Sequence, residues 1–402
     1  MKLQKSYKLV EFLNKPHSRF FKYGLSVVGY VGAVSVTGSH QLAKILRADF
    51  IDNELKTAFR RAGWMLAKGW LRKEIINDPF FNFTEGLSAD QLKSVETFLE
   101  KHKHKYPQTI FISDQLFITA AVIHLMIEKG ASQQLTEKIT AFYRLADQLL
   151  EDLAQKQSEI PVPDKKLKQR PDDFCEHKAT QALQDFAKLL PNNQFTWYVV
   201  SGTLLGLHRE GAFLKHDYDI DLGINYTPEL YQAITKLIDT SHFVVSKLDH
   251  YSEVIKNDQG QYQLKKRPAI IKLIHPNGIS IDLFIHHQDG DLLWHGSSIH
   301  RWENKHYELE LRDLAGIKVL APQNADQYLT ENYGDWRTPV KAFDCSTGTP
   351  NLVIAKNFLS LALFLKRLAV FSDTNPLEYE KLRKTLNQQA IIKNNTLNKE
   401  MF

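Results

Sequence analysis

Cysteine is nearly missing from this chain: Cys175 and Cys345 are the two in 402 residues. So wide a separation gives neither a disulfide framework nor the paired spacing of a zinc ribbon, and it fits a reducing, cytoplasmic compartment. Long apolar runs are missing too. Tyr23 to Ala43 contains no Lys, Arg, Asp or Glu, yet its apolar middle, Leu25 to Val36, falls well short of the roughly 20 residues a spanning helix needs. The basic lead before it is longer than a secretory signal carries. A buried strand pair or helix is therefore the first reading, and contact with a membrane surface the second. Strong charge bias is also absent, with 51 Lys+Arg against 46 Asp+Glu and 43% apolar residues. That is the composition of an ordinary soluble globular chain, long enough for two domains. The small basic excess is uneven, since residues 1–80 hold 14 Lys+Arg against 6 Asp+Glu. Such a segment suits peripheral attachment to the anionic inner face of a membrane, which salt would release, or a solvated surface.

Residues 44–76 show helical spacing, with Phe50, Trp64 and Trp70 on one side and Lys56, Arg60, Arg61 and Lys68 interleaved. An amphipathic helix with a solvated basic face accounts for this more simply than base stacking, so nucleic acid is not expected as a partner. Ser88-Ala89-Asp90-Gln91 forms a capping box for a helix to about His102. Ser113 is placed to cap an apolar helix ending at Gly130. Ser132 opens a third, with Leu135, Ile139, Phe142, Leu145, Leu149 and Leu153 on one face. Residues 1–155 thus read as a mostly helical N-terminal domain without a catalytic constellation. Pro161, Pro163 and Pro171 among charged residues mark 156–173 as a linker. Residues 174–340 mix helix and strand signals, as an α+β domain does. Residues 341–402 hold an apolar helix at 352–371 and a tail that reads as loosely ordered after about Gln388. Lys356 and the Lys366-Arg367 pair bracket only nine uncharged residues, which indicates a packed helix and not an anchor.

Chemistry concentrates in the α+β segment. An apolar strand, Phe195 to Val200, breaks at a small-residue turn, Ser201-Gly202-Thr203. Asp217, Asp219 and Asp221 follow at intervals of two, which in extended chain places them on one face with Tyr218, Ile220 and Leu222 turned into a core. Neighbouring carboxylates repel unless a proton or cation neutralises them, and a hard divalent ion, Mg²⁺ or Mn²⁺, suits oxygen ligands. A solvated acidic loop is the bland reading, and the interleaved Ile and Leu speak against it. A calcium loop starting at Asp217 would need Gly and Glu where Leu222 and Pro228 stand. Further on, Pro228 to Asp239 reads as a helix. Strands are expected at Phe243–Leu248, Gln261–Lys266, Ile270–His275 and Ile279–Ile285, with a turn at His275-Pro276-Asn277-Gly278. Asp282 is a lone carboxylate in the last of these strands. Buried there it needs a cation beside it; a structural Asp bonding a turn is the alternative.

Gly202-Thr203-Leu204-Leu205-Gly206, Arg209, Phe213 and the Asp217-Tyr218-Asp219-Ile220-Asp221 run resemble the LicD/fukutin family. The spacing from the first Gly to the last Asp agrees with the family's wording. Lys215 and His216 stand where Pro-Trp is usual, and Tyr218 where a middle Asp is usual. Tyr328, Tyr333-Gly334-Asp335-Trp336 and Pro339 look like the family's closing motif, so the resemblance covers about 174–339. It implies a nucleotidyltransferase-like (polymerase-beta-like) mixed sheet with flanking helices. It also implies a metal site of Asp219, Asp221 and Asp282, the last as ligand or as base. Transfer of a phospho-alcohol from a CDP-linked donor to a glycan hydroxyl, with release of CMP, is the implied reaction. Backbone N–H groups of Ser201-Gly202-Thr203 are candidates to cradle phosphate. Arg209, Lys215 and Lys272 are candidate phosphate partners, and Asp217 a further ligand or substrate contact. Nucleotide transfer from a triphosphate, and a non-catalytic scaffold, are the competing functions.

Overall fold

The computed structural model describes residues 107–131, 134–155, 174–339 and 349–402, together with Cys345 and isolated positions between 92 and 105. The expectations for the basic segment 1–80, the uncharged stretch 23–43, the aromatic-basic pattern at 44–76, the capping box at Ser88 and the linker at 156–173 lie outside those residues.

Two helices come first, α1 (Gln108–Glu128) and α2 (Leu135–Gln155). Ser113 does not cap α1. The helix begins five residues earlier, behind Pro107, and the Ser113 hydroxyl donates to the Ile110 carbonyl at 2.7 Å. Proline supplies a preset φ and no N–H to satisfy, so it suits the edge of a first turn. α1 has a mean hydropathy of 1.9 and, among the described residues, is the one helix long and apolar enough to cross a membrane. Most of it is buried inside the protein. In α2 the predicted stripe is buried at Leu135, Ile139, Phe142, Leu149 and Leu153 and half-buried at Leu145.

After α3 (Glu176–Leu189) the chain builds a mixed ten-stranded sheet. Its strands are β1 (Trp197–Val199), β2 (Asp219–Asn225), β3 (Val244–Lys256), β4 (Tyr262–Ile274), β5 (Ser280–Asp289), β6 (Leu292–Gly296), β7 (His300–Lys305), β8 (Leu309–Leu314), β9 (Ile317–Pro322) and β10 (Leu352–Ile354). The order is β10-β7-β6-β5-β2-β1-β9-β8, with the β3–β4 hairpin paired to β5. Three helices accompany the first part of the sheet: α4 (Ser201–Glu210), α5 (Pro228–Thr240) and α6 (Ala325–Tyr333). This is the mixed α+β architecture with flanking helices that the sequence predicts. β2 is central, parallel to β5 and antiparallel to β1. It therefore buries Ile220, Leu222 and Ile224 beneath α3, where Phe186 meets Trp197 edge-on.

The C-terminal part returns to the first two helices. α7 (Phe358–Thr374) and α8 (Pro376–Gln388) share one buried core with α1 and α2. Lys366 and Arg367 lie inside it, each 1% exposed, and Lys366 forms an ion pair with Asp114 of α1. The tail is ordered, contrary to the sequence reading. Ile392–Lys393 and Thr396–Leu397 close a hairpin through Asn394 and Asn395, both at positive φ, and Asp147 of α2 accepts from the Leu397 N–H at 2.9 Å. Asn-Asn at a two-residue turn with apolar flanks is a hairpin signal of its own.

Candidate active site

β1 leads straight into α4 without the loop expected at Ser201-Gly202-Thr203. Ser201 bridges strand and helix with φ of 47°, a left-handed conformation that a side chain adopts only under constraint. The first turn of α4 faces β2. The Gly202 N–H donates to Asp221 Oδ2 at 2.8 Å, and Thr203 Oγ1, buried, accepts from the Asp221 N–H at 2.8 Å. The Ser201 N–H meets the Tyr328 hydroxyl of α6 at 3.4 Å. These groups hold a carboxylate at a helix N-terminus, where the backbone dipole favours negative charge. Gly202 lets the carboxylates approach closely: a Cβ there would stand 3.0 Å from Asp217 Oδ2 and 3.1 Å from Asp221 Oδ2, and those side chains would have to shift.

Register supplies the rest. Asp221 of β2 lies beside Asp282 of β5, and Asp282 lies beside Lys272 of β4. Residues paired across adjacent strands share a face, so Lys272, Asp282 and Asp221 form one row. Asp219, two residues before Asp221, joins them. Carboxylate oxygens of Asp219, Asp221 and Asp282 all lie within 4.8 Å of one another, with Asp219 and Asp282 buried. Burial pushes Asp219 well above the usual carboxylate range, and the charges of Asp221, Asp282 and Asp217 push it further. Burial and the charges of Asp217 and Asp282 do the same to Asp221, against the opposing Gly202 N–H. Lys272 contacts Asp282, and the surrounding carboxylates outweigh its own burial and raise its pKa. Three carboxylates beside one ammonium leave a negative excess in a buried space. A divalent cation with oxygen ligands fits that donor set, and Asp219, Asp221 and Asp282 are the residues that would hold it.

The other predicted residues are placed differently. Asp217 stands before β2, not in it, yet its carboxylate reaches the first turn of α4. Tyr218 is 58% exposed and does not enter the core, because pairing with β5 starts only at Asp219. Arg209 lies in the last turn of α4, where it pairs with Glu210 at 2.9 Å; helical rise alone sets it about 10 Å along the axis from Gly202. Lys215 is exposed in the turn before Asp217. Two tyrosines of α6 belong to the site and escaped the sequence reading as site residues. Tyr328 closes over Ser201. Tyr333 is held well above the usual tyrosine range, first by burial and then by the charges of Asp221 and Asp217. Their only sequence signal is the Tyr328…Tyr333-Gly334 motif, which does not reveal that α6 folds back against α4.

Carboxylates from two adjacent parallel strands of a mixed sheet thus meet beside a helix N-terminus. Residues 194–324 match the LicD/FKTN/FKRP nucleotidyltransferase domain, and the chain carries that family's domain over this segment. Among curated proteins, it is 26% identical over 185 residues to "Ribitol-5-phosphate transferase FKTN" of Mus musculus, covering 44% of this chain and 36% of that protein. The Homo sapiens protein of the same name is 24% identical over 182 residues, with 43% and 36% covered. An uncharacterized protein of Rickettsia typhi is 24% identical over 162 residues, or 39% of this chain and 45% of its own. The chain thus spans little more than a third of the FKTN relatives it matches.

Proposed function

We propose that this protein transfers a phospho-alcohol, of the phosphocholine or phospho-alditol type, from a CDP-linked donor to a sugar hydroxyl of a glycan, releasing CMP. The observation that carries this reading is the convergence of Asp219, Asp221 and Asp282 on the first turn of α4, within the segment that matches the family domain. The relatives named as ribitol-5-phosphate transferases support the alcohol-phosphate class of donor. Mg²⁺ or Mn²⁺ bound at the three aspartates supplies neutralisation of a diphosphate and of its leaving group. The protein's own groups do the positioning. Thr203 and Gly202 fix Asp221 through its backbone and its carboxylate. Lys272, paired with Asp282, would bring an ammonium towards phosphate, and Asp282 would act as metal ligand or take the proton of the attacking hydroxyl. Asp217 lines the approach to α4. Arg209, paired with Glu210 at the far end of that helix, has no part in this proposal.

The expected result is metal-dependent release of CMP from a CDP-alcohol, stimulated by a glycan acceptor and followed by nucleotide chromatography. Asp282→Asn should lower kcat by about a hundredfold or more, a larger effect than it has on donor binding, as for a group acting mainly in the transition state. Pyrophosphate release from a nucleoside triphosphate, with CDP-alcohols inert, would replace this reading with nucleotide transfer. No turnover and no nucleotide binding would leave a scaffold.

A further inference from the structure

A second cluster of ligating side chains lies outside the active site. We propose that Asp185, His242 and His275 form a binding site for a divalent transition ion of the Zn²⁺ class, which clips α3 to the sheet. The three residues come from separate elements: Asp185 from α3, His242 from the α5–β3 connection, and His275 from the start of the β4–β5 turn. One ligand atom from each lies within 4.8 Å of the others. The donor set decides the ion. Two imidazoles and one carboxylate suit Zn²⁺, Co²⁺ or Ni²⁺, whereas the all-oxygen set of Asp219, Asp221 and Asp282 suits Mg²⁺ or Mn²⁺. The protein therefore carries two sites that sort cations by ligand type.

The cluster is partly built in advance. His275 is 4% exposed, and its ring is fixed at both nitrogens: the Asn277 N–H donates to Nδ1 at 3.2 Å, and Nε2 faces Asp185 Oδ2 at 3.2 Å. His242 is exposed, stacks on Phe243, and meets His275 edge-on at 5.7 Å between centroids. Asp185 Oδ1 takes Lys188, which is 77% exposed and free to swing away. An ion on His275 Nε2 displaces the proton that this nitrogen shares with Asp185. The ring then carries its proton on Nδ1, and the long contact from Asn277 is given up. That exchange weakens binding and leaves the site open on the His242 side, as three protein ligands plus water would be. Its position gives the clip a purpose. The Asn277 side chain already holds the β4–β5 turn to the Lys178 carbonyl of α3 at 2.9 Å, and β5, which carries Asp282, starts at Ser280.

Titration of the full chain with Co²⁺ alone tests this, read by visible absorption and repeated in competition with Zn²⁺ and with excess Mg²⁺. With excess Mg²⁺ occupying the aspartates, the expected result is one bound Co²⁺ that Zn²⁺ displaces and further Mg²⁺ does not. His242→Ala, an exposed change that leaves the core intact, should weaken that ion by about a hundredfold or more. The same variant should lose the rise in melting temperature that Zn²⁺ gives the wild type, and Asp185→Asn should do likewise. Identical Zn²⁺ titrations for wild type and His242→Ala would overturn the proposal. So would complete displacement of Co²⁺ by Mg²⁺, which would assign all binding to the aspartates. In either case the Asp185–His275 contact is a plain hydrogen bond.

Discussion

Asp221→Asn is expected to abolish turnover and, in the same preparation, to raise the melting temperature of the metal-free protein. The amide keeps an oxygen for the Gly202 N–H, so the first turn of α4 retains its contact. What disappears is a charge crowded by Asp217, Asp219 and Asp282. Loss of turnover should reach about a thousandfold or more, the scale on which preorganised electrostatic contacts act. The sign of the stability effect follows from linkage. Asp219 and Asp221 sit well above the usual carboxylate range, so the folded protein holds protons that the unfolded chain releases near pH 4. Their contribution is full below that range and lost as pH rises through the raised values. The advantage of Asn should therefore be large at neutral pH and fade towards about pH 4. Saturating Mg²⁺ or Mn²⁺ should reverse the order, stabilising the wild type and not the variant. A melting temperature that falls on substitution at neutral pH without metal would show that the carboxylate is needed for folding and is not a strained ligand.

The second large effect is expected far from the site, at Asp114 and Lys366. Both side chains are buried, and Asp114 is pushed up to about 6 because desolvation outweighs the attraction of Lys366. Its second oxygen, Oδ2, finds no donor among the described residues. Asp114→Leu removes the carboxylate that Lys366 pairs with in the helical core, and removal of one partner of a buried pair costs about 3–5 kcal/mol. That is a large part of a domain's usual stability of roughly 5–15 kcal/mol. Adding Lys366→Met should restore most of it, because an apolar pair of similar volume replaces an ionic one at little loss. Denaturant unfolding of the two singles and the double should give a coupling energy well outside additivity. The wild type should also lose stability as pH rises from the ordinary carboxylate range through about 6, a slope that the double variant lacks. Additive single effects would mean that the two side chains do not act as a pair.

Much of the site was legible because strands write their faces into alternation. Asp219 and Asp221 on one side of β2, and Asp282 alone in β5, follow from a period of two. The partner of Asp282 was within reach as well. Once the turn at His275–Gly278 is placed, the hairpin register sets Lys272 opposite Asp282. Other features depend on tertiary packing that no local pattern records. Ser201 looks like a turn residue because its left-handed φ is set by α4 meeting β2 and α6. Arg209 looks like a phosphate partner until its neighbours are known to be helical, which carries it to the far end of α4. Tyr328 and Tyr333 enter the site only because α6 returns to α4. The burial of Lys366 was likewise unreadable, since its counter-ion stands 252 residues away.

That separation has a consequence for synthesis. α1 is the most membrane-like helix described, and part of its cover is α7, which begins at Phe358, 230 residues after α1 ends at Glu128. At translation rates of about 5–20 residues per second, α7 follows α1 out of the ribosome by roughly 10–50 s. During that interval α2 and the β3–β4 hairpin of the sheet can cover part of α1, while the part that α7 covers stays open and Asp114 lacks the Lys366 ammonium. The nascent chain therefore passes through a state that displays part of an apolar helix face beside an assembled sheet. Its folding then depends on holding that face apart until α7 has been made.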